Sequence, residues 1–187
     1  MGENKTISKE VRILLCVISG CIIAAFMKFV FYIQDLGLYV ACPPHPHNVK
    51  PIEEVLGIPI NSIIIGSCTN GRYEDLEVAA KILNGEEIHR DVRLIVTPAS
   101  KRIWLEASKS GIFEILINAG AIITNPSCGA CFGGQGGILA PGETCISSSN
   151  RNFQGRMGSI NSKVYLGSPA TVAASALKGE ITDPRDF

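Results

Sequence analysis

From residue 60 onward, short β-branched runs alternate with longer segments whose apolar positions recur at helical spacing. Residues 60–65 read as a buried strand, and 92–97 as a second one closed by Pro98. Between them, Leu76, Ala79, Ala80 and Leu83 fall on one face of a helix over 74–83. Ser100 is placed to cap a helix over 101–109, which Gly111 ends. Apolar positions at 112, 115, 116 and 119 predict a further short helix over 112–118. Strands follow over 121–124, 144–148 and 164–166, and Pro169 opens a final helix. This order predicts an α/β fold, a three-layer α/β/α arrangement around a mostly parallel sheet joined by right-handed crossovers.

Upstream the pattern changes. Cys42-Pro-Pro-His45-Pro-His47-Asn48 packs three prolines and two histidines into seven residues. The stretch 40–51 therefore reads as an extended linker. It divides an apolar N-terminal segment, 1–39, from a domain over 40–187. Residues 13–27 are almost uninterruptedly apolar, short of the ~20 residues a membrane span needs. Extending them through 33 puts Lys28 in the middle. The preferred reading is a remnant or replacement of an upstream domain. A membrane anchor through 13–33 ranks second, and a signal peptide third, because no small-x-small cleavage site closes the run.

Composition narrows the function classes. The chain has 187 residues and a formal net charge of zero, so bulk electrostatics favour neither nucleic acid nor an acidic partner. Its seven cysteines (Cys16, Cys21, Cys42, Cys68, Cys128, Cys131 and Cys145) are odd in number and sit in a chain too large for a disulfide scaffold. Reduced thiols or metal ligation, and with them a cytoplasmic location, are the expectation.

Sites in parallel sheets form at the carboxyl ends of strands. Cys68 follows the first predicted strand, Cys128 the third, and the polar loop Asn150 to Arg156 the fourth. Cys128 and Cys131 are two residues apart, so one turn can aim both sulfurs at one centre. Thiolates of this kind select zinc, copper(I) or iron–sulfur clusters. Structural zinc and electron-transfer clusters usually take four ligands, and only three cysteines here lie in suitable loops. On a four-iron cluster, three thiolates leave one iron open to substrate. A redox dithiol and an incidental Cys-x-x-Cys remain alternatives, although Pro126 and Phe132-Gly-Gly are poor neighbours for a thiol pair that opens a helix. Cys145, inside a strand, reads as a core residue, and His45, His47 and His89 as surface residues. Arg151 and Arg156 can each fork onto a carboxylate, or simply belong to a solvated loop. Gly133-Gly-Gln-Gly-Gly137 lacks the ending of a phosphate loop, and its glycines suit close backbone approach to a cluster.

Several motifs then fall in order: Gly66-Ser-Cys68-Thr-Asn-Gly-Arg72, Asn125-Pro-Ser-Cys128-Gly-Ala-Cys131, Leu139-Ala-Pro-Gly-Glu143, Asn150-Arg151-Asn-Phe-Gln-Gly-Arg156-Met-Gly158 and Val164-Tyr-Leu-Gly-Ser-Pro-Ala-Thr171. From about 40 to 184 the chain resembles the iron–sulfur domain of the aconitase superfamily, most nearly the large subunits of 3-isopropylmalate dehydratase and their homoaconitase-like relatives. The resemblance implies a [4Fe–4S] cluster on Cys68, Cys128 and Cys131. It implies substrate carboxylate contacts from Arg151 and Arg156, with Asn150 beside the cluster. The activity implied is hydro-lyase chemistry on a small hydroxy-dicarboxylic acid, foremost the isomerisation of 2- and 3-isopropylmalate in leucine biosynthesis. Homoaconitate or dimethylmalate hydration, and a non-catalytic cluster-binding remnant or sensor, are the alternatives. Family large subunits have a long N-terminal part where this chain has residues 1–39. The family's serine base and a further arginine usually lie on a swivelling domain or a separate small subunit. The chain alone is therefore expected to be inactive, or nearly so, and to need such a partner. The Pro-Pro-His-Pro-His-Asn run differs from the family's usual His-x-Pro-Asp-Asn.

Overall fold

The computed structural model describes residues 37–187, and the apolar stretch 13–33 lies outside them. Residues Leu38–Phe187 form one compact unit around a seven-stranded sheet. Its strands are β1 (Tyr39–Ala41), β2 (Val49–Pro51), β3 (Ser62–Ile65), β4 (Arg93–Val96), β5 (Ile122–Ile123), β6 (Thr144–Ser147) and β7 (Lys163–Leu166). Its helices are α1 (Tyr73–Leu83), α2 (Lys101–Lys109), α3 (Ile112–Asn118) and α4 (Pro169–Lys178). The spatial order is β2-β1-β7-β6-β3-β4-β5. The five strands from β7 to β5 are parallel, and β1 adds antiparallel to β7 and to β2. The expected α/β architecture on a mostly parallel sheet is present.

The hairpin of β1 and β2 replaces the linker expected over 40–51. Val40 is fully buried and Cys42 nearly so, and Ala41 pairs with Leu166. The prolines do not prevent this. Pro43, Pro44 and Pro46 lie in the turn, and Pro51 ends an edge strand, where a missing N–H costs little.

Chain order explains how the sheet is covered. The path β3 to β4 to β5 runs one way across it, and right-handed crossovers put α1, α2 and α3 on one face. The path then turns back, β5 to β6 to β7, and the same rule puts the intervening segments on the other face. Alternation along β3 shows the result. Ile63 and Ile65 pack with Leu76, Leu83, Leu116 and Val172 of the helices. Ile64 points the opposite way and packs with Ala130, Leu139, Cys145, Met157 and Val164. Among the described residues all four helices therefore lie on one face. Loops 124–143 and 148–162, with one 3-10 turn at Gly129–Phe132, form the layer on the other.

The helix ends follow their sequence signals. The Ser100 hydroxyl accepts from Ile103 N at 3.3 Å, and that of Ser168 from Thr171 N at 3.1 Å. Among the described residues no helix is long and apolar enough to cross a membrane.

Candidate metal centre at the carboxyl ends of the strands

The reversal of winding falls between β3 and β6, the kind of switch point where parallel sheets open a crevice. Cys68 sits there, on a loop whose neck is closed by Ser67 N donating to Asn70 O at 2.9 Å. Gly66 and Gly71 flank the neck, both with positive φ. A Cβ on Gly66 would come within 2.2 Å of Thr97 O, and one on Gly71 within 2.5 Å. Only glycine fits either place. The loop after β6 leans on the same neck, because the Ser148 hydroxyl accepts from Gly66 N at 2.9 Å and Asn70 Nδ2 donates to Ser148 O.

Cys128 arrives from β5, two strands away from β3. Its loop reaches across the end of β4, and the Cys128 and Cys68 sulfurs stand 3.7 Å apart. Cys131 follows one 3-10 turn later, its N–H donating to Cys128 O at 3.3 Å. Cys68 and Cys128 are exposed and Cys131 is half-buried. The Cys128 thiol is pushed up from its ordinary value, chiefly by its hydrogen bond to Cys68, further by the negative charge its neighbours would carry, and against the pull of Arg156. Thiolates so crowded repel one another until a cation neutralises them.

The arginine loop is anchored as well as polar. Arg156 donates from Nε to Cys131 O at 2.9 Å, so part of its guanidinium is committed to the cysteine turn. Arg151 and Asn150 are exposed. Asn152 between them and Phe153 is 1% exposed, and its Nδ2 donates to Cys42 O at 3.0 Å and Val164 O at 3.1 Å. That amide ties the loop to β1 and β7, and sequence reasoning passed over it. Gly133 and Gly137 have reasons of their own inside the protein: a Cβ would meet Arg156 O at 2.8 Å and Ile95 Cδ1 at 2.6 Å. A cleft of about 700 Å³ opens beside Cys68, lined also by Thr69, Arg72, Tyr73, Ser100 and Arg102.

The donor set suits a cluster. Three soft thiols sit on two loops brought together, and no three His, Cys, Asp or Glu side chains among the described residues close around a single ion. A cluster takes one thiolate per iron, so its ligands need not converge on one point. Cys145 stands apart, fully buried in β6 with its thiol raised to about 12 by desolvation, as a core residue would be. His45 and His47 are exposed and stacked on each other.

The pattern of the aconitase family (aconitate hydratase) matches residues 42–179. The chain is 59% identical over 155 residues to the 3-isopropylmalate dehydratase large subunit 1 of Methanopyrus kandleri, covering 83% of this chain and 37% of that one. It is 56% identical over 154 residues to the methanogen homoaconitase large subunit of Methanocaldococcus jannaschii, covering 82% and 37%. It is 51% identical over 155 residues to the 3-isopropylmalate dehydratase large subunit of Oleidesulfovibrio alaskensis, covering 83% and 37%. The chain thus spans a little over a third of the length of these curated relatives. A match over most of its sequence, at such identity, makes this chain a member of the aconitase family.

Proposed function

We propose that residues 40–187 are the cluster-bearing unit of a hydro-lyase acting on a small hydroxy-dicarboxylic acid, foremost in the isomerisation of 2- and 3-isopropylmalate. The observation that carries this reading is the meeting of Cys68 and Cys128 at 3.7 Å, with Cys131 one turn on, in a chain of this family. These three residues would hold a [4Fe–4S] cluster. When bound, the cluster supplies a Lewis-acidic iron able to polarise a hydroxyl leaving group. The chain's own groups do the rest of what this portion contributes. Arg151 presents an exposed guanidinium that can take a carboxylate in two parallel hydrogen bonds, with Asn150 beside it. Arg156 holds the Cys131 backbone through Nε and keeps its remaining N–H groups for an anion.

The relatives named above are large subunits, and we propose that this chain likewise works with a small subunit, which brings the proton-abstracting base and a further arginine. Accessible thiols at the site suit a reducing compartment, which supports a cytoplasmic location. Homoaconitate hydration is the second reading, favoured by the methanogen homoaconitase relative at 56% identity.

The test is anaerobic iron–sulfur reconstitution of the chain, followed by EPR with and without 3-isopropylmalate. A cluster whose spectrum shifts on adding the substrate is the expected outcome. Incorporation of zinc alone, or no metal at all, overturns the proposal. A cluster indifferent to 3-isopropylmalate but responsive to homoaconitate moves the assignment to the second reading.

A further inference from the structure

The two cysteine loops share one support, and it is a residue that carries no cysteine. Thr97 directly follows β4 and is fully buried. Its N–H donates to Ile65 O at 2.8 Å, which fixes it against the end of β3. Its carbonyl lies under the neck of the Cys68 loop, in the space the missing side chains of Gly66 and Gly71 leave. Its side chain faces the other loop. A Cβ on Gly129, next to Cys128, would lie 2.9 Å from Thr97 Oγ1 and 3.4 Å from its Cβ. The hydroxyl also bonds to Thr124 Oγ1 at 2.9 Å, at the point where the chain leaves β5 for Cys128. Thr124 in turn is held to the end of β4, its N–H donating to Val96 O at 2.9 Å and its hydroxyl lying 3.3 Å from the same oxygen. One loop thus rests on the main chain of Thr97 and the other on its side chain, and the sulfurs they carry meet.

We infer that Thr97 is a positioning residue for the metal centre: its hydroxyl sets the height of the Cys128 loop relative to the Cys68 loop, and so fixes the spacing of two ligands. This rests on the reading of Cys68, Cys128 and Cys131 as ligands, but the spacing can be measured without metal. Van der Waals contact with Gly129 alone would not fix the direction of approach. The hydrogen bond to Thr124 does, because it ties the base of the loop to the residue under its crest.

The experiment uses the metal-free full chain and diamide, which takes up the two electrons and two protons that a pair of thiols gives up on forming a disulfide. The readout is the ratio of Cys68–Cys128 to Cys128–Cys131 disulfide, from peptide mass mapping after a short pulse. The second pair lies within one loop, so a general loosening of the fold raises or lowers both. In Thr97→Val, which keeps the shape and loses the hydroxyl, the ratio falls by about fivefold, the weight of one net hydrogen bond. Thr97→Ser keeps the hydroxyl and holds the ratio near that of the natural chain. Thr124→Val removes the partner hydroxyl from a half-buried position and lowers the ratio in the same direction, which covers the case of a Thr97→Val chain that does not fold.

A parallel arm follows iron release to a chelator from the reconstituted chain, expected to be faster in Thr97→Val and Thr124→Val. An unchanged ratio in the folded valine variants, or an equal fall in Thr97→Ser, overturns the inference. If the natural chain takes up no cluster, the proposed function fails by itself, and the disulfide ratio still decides the role of Thr97.

Discussion

The two faces of the sheet are held by different physics. The helix-covered face buries a large continuous apolar cluster drawn from β1, β3, β4, β6 and β7 and all four helices. The loop-covered face holds a much smaller cluster of Ile64, Ala130, Leu139, Cys145, Met157 and Val164, with Cys131 and Leu166 packed at its edge. What the second face lacks in apolar area it replaces with directional bonds. Arg93 forks onto Glu143 at 2.7 and 2.6 Å, and Glu143 also accepts from Ala140 N at 2.7 Å. Leu139 N donates to Met157 O, and Ser159 N to Leu139 O, both at 2.9 Å. Asn152 and Arg156 add their bonds to the backbone. Apolar burial is non-directional and spread over many residues. A bond network puts its strength in a few atoms and fixes their positions, as loops that present chemistry require.

Three substitutions would break or sharpen this contrast. The largest effect is expected from Leu116→Ala, fully buried in α3 on the helix face. It should cost about 3 kcal/mol of global stability, read from the urea midpoint at constant m-value. Amide exchange should then accelerate throughout the sheet. If only the loop layer loosened, the helix face would not be the common foundation.

Next comes Asn152→Ala. It strips donors from buried carbonyls of Cys42 and Val164 and should cost about 2 kcal/mol. Its signature is local: faster exchange in 148–158 and in the β1–β2 hairpin, with α1 and α3 little changed. Uniform acceleration would count against a separately tied loop layer.

The smallest effect belongs to Glu143→Gln, about 1 kcal/mol at neutral pH, because the ion pair is partly exposed and screened by solvent. Arg93 holds the Glu143 carboxyl below the usual carboxylate range through their hydrogen bond. A depressed carboxylate adds stability that is complete above its unfolded value and is lost as pH falls through its folded one. The natural chain should therefore lose this increment on acidification below that ordinary range, and the glutamine variant should show a shallower acid limb. Parallel acid limbs in urea titrations at several pH values would remove the Arg93–Glu143 pair from the account.

The parallel strands and helices were legible because apolar periodicity is a local signal. Ile63 to Ile65 read as a buried strand because both faces of that strand are in fact covered. The helices 101–109 and 112–118 coincide with α2 and α3, and Ser100 caps the former as its side chain suggested. The hairpin was not legible. Its two strands have three residues each, its turn is full of prolines, and its partner β7 lies more than a hundred residues away. Pairing of that kind is set by tertiary contact, which no short window contains.

At the site, the cysteines were conspicuous by spacing, while their supports were not. Thr97 looks like the polar end of a strand, and Asn152 like one more polar residue in a polar loop. The mirrored glycines on either side of Ser67 to Asn70 were a usable signal for a pinched neck. What they pinch against, the carbonyl of Thr97, depends on how strands are ordered in space.

Cys145 bears on how the other thiols can be studied. Sealed in β6 with its thiol raised to about 12, it offers almost no thiolate at neutral pH and no path to a reagent. Alkylation of the native chain should pass it by, and mark it only in molecules that have come apart as a whole. It therefore serves as an internal clock of complete unfolding, against which the reactivity of Cys68 and Cys128 can be timed in the same sample.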